Sequence, residues 1–198
     1  IPLGVKAATT QYGLVDYSAS VLSMIGTALP TFFFAAICIQ LFSVQLGWFP
    51  VNGLTSTLPS DATEWTRFWD KIWHLVIPVF IMVFLSVGSL MRYTRTNTLE
   101  VLNADYIRTA RAKGLSEGKV IYKHAFRNTL IPLVTLLAGT LPGLFSGAMI
   151  TEQMFAIPGI GREFVSAITG RDYPVIMGLT IFIGAFVIVM NLVSDIAA

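Results

Sequence analysis

Residues able to do chemistry are few in this chain, and they are unevenly spread. His74 and His124 stand far apart, and Cys38 is the single cysteine. These spacings make no metal-ligand cluster, and one cysteine forms no intramolecular disulfide; Cys38 reads as a small apolar filler inside a helix. No G-x-x-x-x-G-K-[ST] nucleotide loop occurs. The charged groups that remain gather in TLEVLNADYIRTARAKGLSEGKVIYKHAFRNTLIPL, from Thr98 onward. Here Arg108, Arg111, Lys113, Lys119 and Lys123 surround the small residues Ala110, Ala112 and Gly114. Donors ringing small side chains offer close docking by a partner's surface. Charge alone has plainer accounts: retention of basic residues inside a membrane, attraction to anionic lipid heads, or a nucleic-acid patch, which would need a basic domain behind it.

The same stretch is rich in helix formers. Leu99, Leu102, Tyr106 and Ala110 recur at i, i+3, i+7 and i+11, the apolar stripe of an amphipathic helix. Gly114 offers a left-handed position that ends the helix without a Cβ penalty. Ser116 stands where a second helix beginning near Glu117 needs its cap. The expectation is helix, glycine hinge, helix, stiff enough to transmit a push.

The elements that position this segment follow from composition. Of 198 residues, 55% are hydrophobic and 12% charged, about half the charge of an ordinary soluble domain. Mean hydropathy is +0.72. Such a chain cannot cover a water-soluble surface, which excludes disorder, a disulfide scaffold and most soluble enzymes. The net charge of +2 creates no global field to recruit nucleic acid.

Stretches 17–60, 72–91, 128–151 and 173–194 lack Asp, Glu, Lys and Arg. Each is long enough to cross a hydrocarbon core of ~30 Å at ~1.5 Å per residue. The first also contains GWFPVNGLTSTLPS, a loop by its Gly, Pro, Asn and Ser. The expected architecture is therefore all-α and polytopic. It comprises the end of an earlier helix (1–18), spans at 19–46, 72–91, 128–151 and 173–195, and connections at 47–71, 92–127 and 152–172. Segment 92–127 holds eight basic and three acidic residues, against two and three in each of 61–71 and 152–172. The positive-inside rule then places 92–127 and both ends in the cytoplasm. Opening at Ile1 and closing at Ala198, both ends look cut, as in a fragment of a longer membrane protein.

Trp65, Trp69 and Trp73 fall at i, i+4 and i+8 and lay three indoles on one helix face, an interfacial belt more simply than a ligand-stacking box. Pro30, Pro78, Pro132 and Pro142 imply kinked, packed spans. Gly139, Gly143 and Gly147 make a small-xxx-small face for another helix. His74, the sole ionisable group inside a span, reads as interfacial. Missing intramembrane acids argue against an ion-gradient-driven secondary transporter, the competing class; a non-transporting membrane scaffold is a third.

Asp105–Leu115, DYIRTARAKGL, with HAFRNTLIP at 124–132, closely resembles the cytoplasmic loop of ABC-transporter permeases of the peptide and nickel uptake group. In importers generally the motif reads E-A-A, three residues, Gly, nine residues, I-x-L-P. With Gly114 on its glycine, Arg108, Thr109 and Ala110 fall on E-A-A, and His124, Phe126 and Arg127 on the Ile, Leu and Pro. That strict motif survives at Ala110 and Gly114, approximately at Phe126, whereas the peptide-group R-T-A-R-A-K-G-L is matched throughout. IPLGVKAA (1–8), PGIG (158–161), RDYP (171–174) and Asn191 with Asp195 are similar to the first of the two permease types these systems use. Relatives carry six spans, so the first helix, the outer segment after it, most of the second helix and a C-terminal tail are expected outside this chain.

The resemblance implies the type I ABC importer permease fold in a bacterial inner membrane. The implied partners are a second homologous permease subunit, two cytoplasmic ATPase subunits, an extracytoplasmic substrate-binding protein and membrane lipid, with no nucleic acid. ATP and Mg would sit on the ATPase partners, leaving this chain without cofactor, metal or catalytic residue. Asp105, Arg108, Thr109, Ala110, Arg111, Ala112, Lys113, Gly114, Leu115 and Ser116 would form the ATPase-coupling helix and its bend. Glu152 and Arg162 would face the binding protein. Phe32–Phe34, Met149, Met154 and Phe155 either line the pathway or pack against lipid and helices. Implied cargo is a di- or oligopeptide, with nickel complexes, glutathione and oligosaccharides as alternatives.

Overall fold

The computed structural model describes residues 1–145 and 148–197. Among these residues every regular element is helical and none is a strand. The first four are α1 (Pro2–Thr9), α2 (Leu14–Ala28), α3 (Thr31–Cys38, prolonged by a π-helical turn Ile39–Gln45) and α4 (Glu64–Leu102). Then come α5 (Asp105–Ala112) and α6 (Glu117–Lys119), which runs through a π-helical turn Val120–Ala125 into α7 (Phe126–Phe145). The chain ends with α8 (Met149–Met154), α9 (Ile160–Gly170) and α10 (Tyr173–Ala197).

Among the described residues two helices are long and apolar enough to cross a membrane, Glu64–Leu102 and Tyr173–Val193, or three if the bent pair Leu14–Ala28 and Thr31–Gln45 is one span. The 39 residues of α4 rise roughly 58 Å at ~1.5 Å each, well beyond a hydrocarbon core of ~30 Å. Helical geometry starts before Ile72 and continues past Met91 into the basic segment. Charge marks where a helix can leave lipid, not where its backbone hydrogen bonding stops. The stretch 128–151 holds most of α7 and the start of α8, and Ser146 and Gly147 within it lie outside the described residues. The Gly139–Gly143–Gly147 spacing therefore also falls partly outside them.

Two compact units are present. One comprises Ile1–Ala28, Leu85–Thr140 and Asn191–Ala198. In it α1 begins on Pro2, whose missing N–H costs nothing in a first turn. A Cβ on Gly4 would lie 2.7 Å from the Met91 carbonyl and from Thr94 Cβ, so only glycine permits this approach to α4. Ala7, Ala19 and Met91 form a small buried cluster beside it. Thr94 and Thr98 are fully buried, and each hydroxyl donates to the carbonyl four residues back at 2.7 Å. That local bond satisfies a buried polar group without a partner from elsewhere.

The other unit comprises Leu29–Phe84 and Leu141–Met190. Phe34 stacks on Phe84 with centroids 4.8 Å apart, and Phe155 is 2% exposed, so these two candidate pathway residues are packed within the chain. Pro78 lies inside α4 and removes one ladder donor. The loop after α3 folds back onto α4: Phe49 meets Trp73 at 4.8 Å, and Ser56 donates to Asp70 from both N and Oγ at 2.7 Å. Trp65, Trp69 and Trp73 are all more than half exposed, as an interfacial face requires. His74 is buried within the chain. It is 6% exposed, and its Nδ1 bonds the Asp70 carbonyl at 2.8 Å and lies 3.5 Å from Asp70 Oδ1. Both contacts are at i,i+4 on α4, and Asp70 in turn is held by Ser56 of the folded-back loop.

Candidate functional site

The bent segment around Gly114 is built from three local decisions. Leu102 is the last residue of α4, and Asn103 and Ala104 break the helix before Asp105 starts α5. The stripe expected across Leu99, Leu102, Tyr106 and Ala110 is thus interrupted. After the two-residue break the phase changes, so Ile107 with Ala110 turns inward while Tyr106 is 47% exposed. Ile107, Ala110, Val120 and Ala125 form a buried cluster, with Val101, Leu102 and Leu115 packed around it. This small core folds α6 and the following turn back against α5.

Gly114 adopts φ +74, the left-handed conformation its position calls for. Its N–H donates to the Arg111 carbonyl at 2.9 Å, and that of Lys113 to the Thr109 carbonyl at 3.0 Å, closing the end of α5. A Cβ on Gly114 would meet nothing within 4 Å. Backbone conformation, not space within this chain, is what selects glycine here. Ser116 occupies the N-cap position of α6, yet its side chain makes no capping bond. The bend is braced instead by Arg111, whose Nε donates to Glu117 Oε1 at 2.8 Å.

The ten candidate residues divide by face. Asp105, Arg108, Thr109, Arg111, Ala112, Lys113, Gly114 and Ser116 are exposed, Leu115 is half-buried and Ala110 is buried. Arg108 lies 3.7 Å from Asp105 with both side chains largely in solvent, a contact of little energetic weight. The exposed face therefore presents small residues flanked by cations on a bent support with its own small core. It has no nucleophile–base pair, and among the described residues no group of three metal-ligating side chains occurs.

Glu152 and Arg162 come together, both half-buried. The Glu152 carboxylate accepts the N–H of Ala148 at 3.1 Å and that of Arg162 at 2.9 Å. The Arg162 guanidinium donates to the Ala156 carbonyl at 2.6 Å, where Ala156 has φ +51. A Cβ on Gly159 would collide with the Glu152 carboxylate, and one on Gly161 with Met149. The pair thus braces the α8–α9 connection.

Sequence reasoning passed over one long-range contact. Asp16 Oδ1 and Oδ2 accept Arg95 Nε at 2.6 Å and Nη2 at 2.9 Å. Both residues lie outside the charge-free stretches, and the isolation of Asp16 as the sole acid before Asp61 was the available signal.

The profile of the family described as "Binding-protein-dependent transport system inner membrane component" matches residues 1–198. The chain belongs to this family. It is a helical inner-membrane permease component, and its apolar helices suit that setting. It is 44% identical over 196 residues to the oligopeptide transport system permease protein AppB of Bacillus subtilis, covering 99% of this chain and 60% of the relative. The dipeptide transport system permease protein DppB of the same organism is 40% identical over 195 residues, 98% of this chain and 58% of the relative. The di/tripeptide transport system permease protein DppB of Pseudomonas aeruginosa is 40% identical over 208 residues, 98% of this chain and 61% of the relative. The chain thus spans about three-fifths of the length of these curated relatives.

Proposed function

We propose that this chain is the membrane-embedded part of a permease subunit of an ATP-driven importer of di- and oligopeptides. The observation that carries this reading is the bent segment at Asp105–Ser116. Its inner face is locked by Ile107, Ala110, Val120 and Ala125, its bend is braced by Arg111–Glu117, and its outer face is small and cationic. Peptide cargo draws its support from the names of the relatives at 40–44% identity.

In this reading the segment lies in the cytoplasm and docks on an ATPase subunit, which holds ATP and Mg. A second, homologous permease completes the pathway, and an extracytoplasmic binding protein delivers cargo. The chain itself is no enzyme. Inverting a population from 99:1 to 1:99 takes about 5.5 kcal/mol of differential binding. A segment with its own small core can pass that on as a displacement of α4 and α7; a loose loop would dissipate it as local disorder.

The test is uptake of a labelled tripeptide by cells lacking the permease, complemented with the full-length protein or with Gly114→Asp. A Cβ at Gly114 meets open space within the chain, and Asp enters the left-handed region more readily than most residues, so the added side chain is aimed at a docked partner before it is aimed at this chain. The expected result is restoration by the wild type alone. Uptake by Gly114→Asp equal to wild type would remove the docking role, and peptide uptake indifferent to loss of the permease would remove the peptide cargo.

A further inference from the structure

We infer that Asp16 and Arg95 are a positioning pair that ties α2 to movements of the docking segment, an inference resting on the importer reading above. Asp16 is 5% exposed, and its two oxygens are gripped by two nitrogens of one guanidinium at 2.6 and 2.9 Å. A third bond, from the Tyr12 N–H at 3.1 Å, fixes the carboxylate to the α1–α2 turn, where Tyr12 itself has φ 61. A two-pronged charged contact sets direction as well as distance. Among the described residues it is the one ion pair that joins distant parts of the chain; the others link positions three to six apart.

Its place gives it a mechanical role. Arg95 stands seven residues before Leu102, roughly 10 Å up α4 from the point where the chain turns into α5. Displacement of the docking segment must therefore move the stretch of α4 that carries Arg95. Between that segment and the α1–α2 turn the chain leaves open space. A polar cavity of about 430 Å³ lies there, lined by Thr9, Thr10 and Gln11 on one side and by Arg111, Glu117 and Ile121 on the other.

The neutral contacts between α2 or α1 and α4 behave differently from the ion pair. Gly4 against Met91 and Thr94, and Ser23 against Gly88, resist compression because backbone atoms already touch. Dispersion contacts fade within ~1 Å of separation, whereas attraction between charges falls only as the inverse of distance. The Gly4 contacts thus transmit a push, whereas the ion pair, together with the Ser23 Oγ–Gly88 hydrogen bond at 2.6 Å, also transmits a pull. A pair this buried adds little net stability over apolar replacements, so its contribution is geometric.

The experiment uses the full-length permease assembled with its second permease, ATPase subunits and binding protein in lipid nanodiscs. Asp16→Asn, Arg95→Gln and the exchanged pair Asp16→Arg with Arg95→Asp are compared for assembly, basal ATP hydrolysis and stimulation by cargo-loaded binding protein. Expected are normal assembly and basal hydrolysis in every variant. Stimulation falls at least about fivefold in the single variants, the lower end of ordinary coupling between sites, and recovers by half or more in the exchanged pair. Full stimulation in the single variants would overturn the inference. So would failure of the single and exchanged variants alike to assemble, which would mark a purely architectural contact. Absence of stimulation in the wild-type complex would instead count against the importer reading.

Discussion

Ser23 Oγ donates to the Gly88 carbonyl at 2.6 Å, and a Cβ built on Gly88 would lie 3.0 Å from the Ser23 carbonyl oxygen and 3.1 Å from its Cα. The hydrogen bond and the close approach require one another, since the hydroxyl reaches that carbonyl only where position 88 has no side chain. Gly88→Ala is therefore expected to destabilise the protein by about 1–3 kcal/mol, the usual cost of overpacking. Ser23→Ala loses one hydrogen bond without a clash and should cost about 1 kcal/mol. Unfolding by SDS titration in mixed micelles measures both; equal stability of Gly88→Ala and wild type would show that α2 and α4 separate without penalty.

Gly114 separates backbone strain from partner contact. Gly114→Asn keeps a residue that enters the left-handed region readily and should leave the isolated permease as stable as wild type. Gly114→Val places a β-branched residue at φ +74, expected to cost about 1–2 kcal/mol. Both substitutions, as well as Gly114→Asp, should weaken binding of the purified ATPase subunit, read by pull-down or interferometry. Unchanged ATPase binding by all three would remove Gly114 from the docking face.

Across that bend, Arg111 and Glu117 are an exposed pair, with side chains 43% and 61% accessible. A double-mutant cycle of Arg111→Ala and Glu117→Ala should give a coupling energy of about 0.2–1 kcal/mol, decreasing with added salt. Hydrogen exchange of the amides at Lys113 and Gly114 should quicken in either single variant. A coupling energy of several kcal/mol would mean that the bend, and not the buried Ile107–Val120 cluster, holds the segment together.

In the α8–α9 connection, Glu152 supplies both acceptors for the amides of Ala148 and Arg162. Glu152→Ala leaves them without that acceptor and should cost about 1–3 kcal/mol, whereas Glu152→Gln retains one amide acceptor and should cost less. Limited proteolysis between Met154 and Ile160 reads the difference. Equal protease resistance in Glu152→Ala and wild type would show that the brace is dispensable.

Much of the fold could be read from residue types alone. Charge-free stretches, the exposed Trp65–Trp69–Trp73 face and the left-handed Gly114 are local properties, set by hydropathy, helical period and the absence of a Cβ. Which residues of the bent segment turn inward was not legible. A two-residue break at Asn103 and Ala104 changes the helical phase, and only packing against Val120 and Ala125 selects Ile107 over Tyr106.

The sequence by itself determined that this is a helical membrane chain with one basic, glycine-hinged segment, because partitioning and backbone preference depend on neighbouring residues. Tertiary structure alone decided that Asp16 holds Arg95 across 79 positions, that Ser23 meets Gly88 across 65, and that Glu152 accepts the Arg162 amide N–H. The reason is physical: a carboxylate or hydroxyl takes any donor or acceptor of suitable geometry. Its actual partner is chosen by which backbones can approach, and that choice belongs to the folded chain.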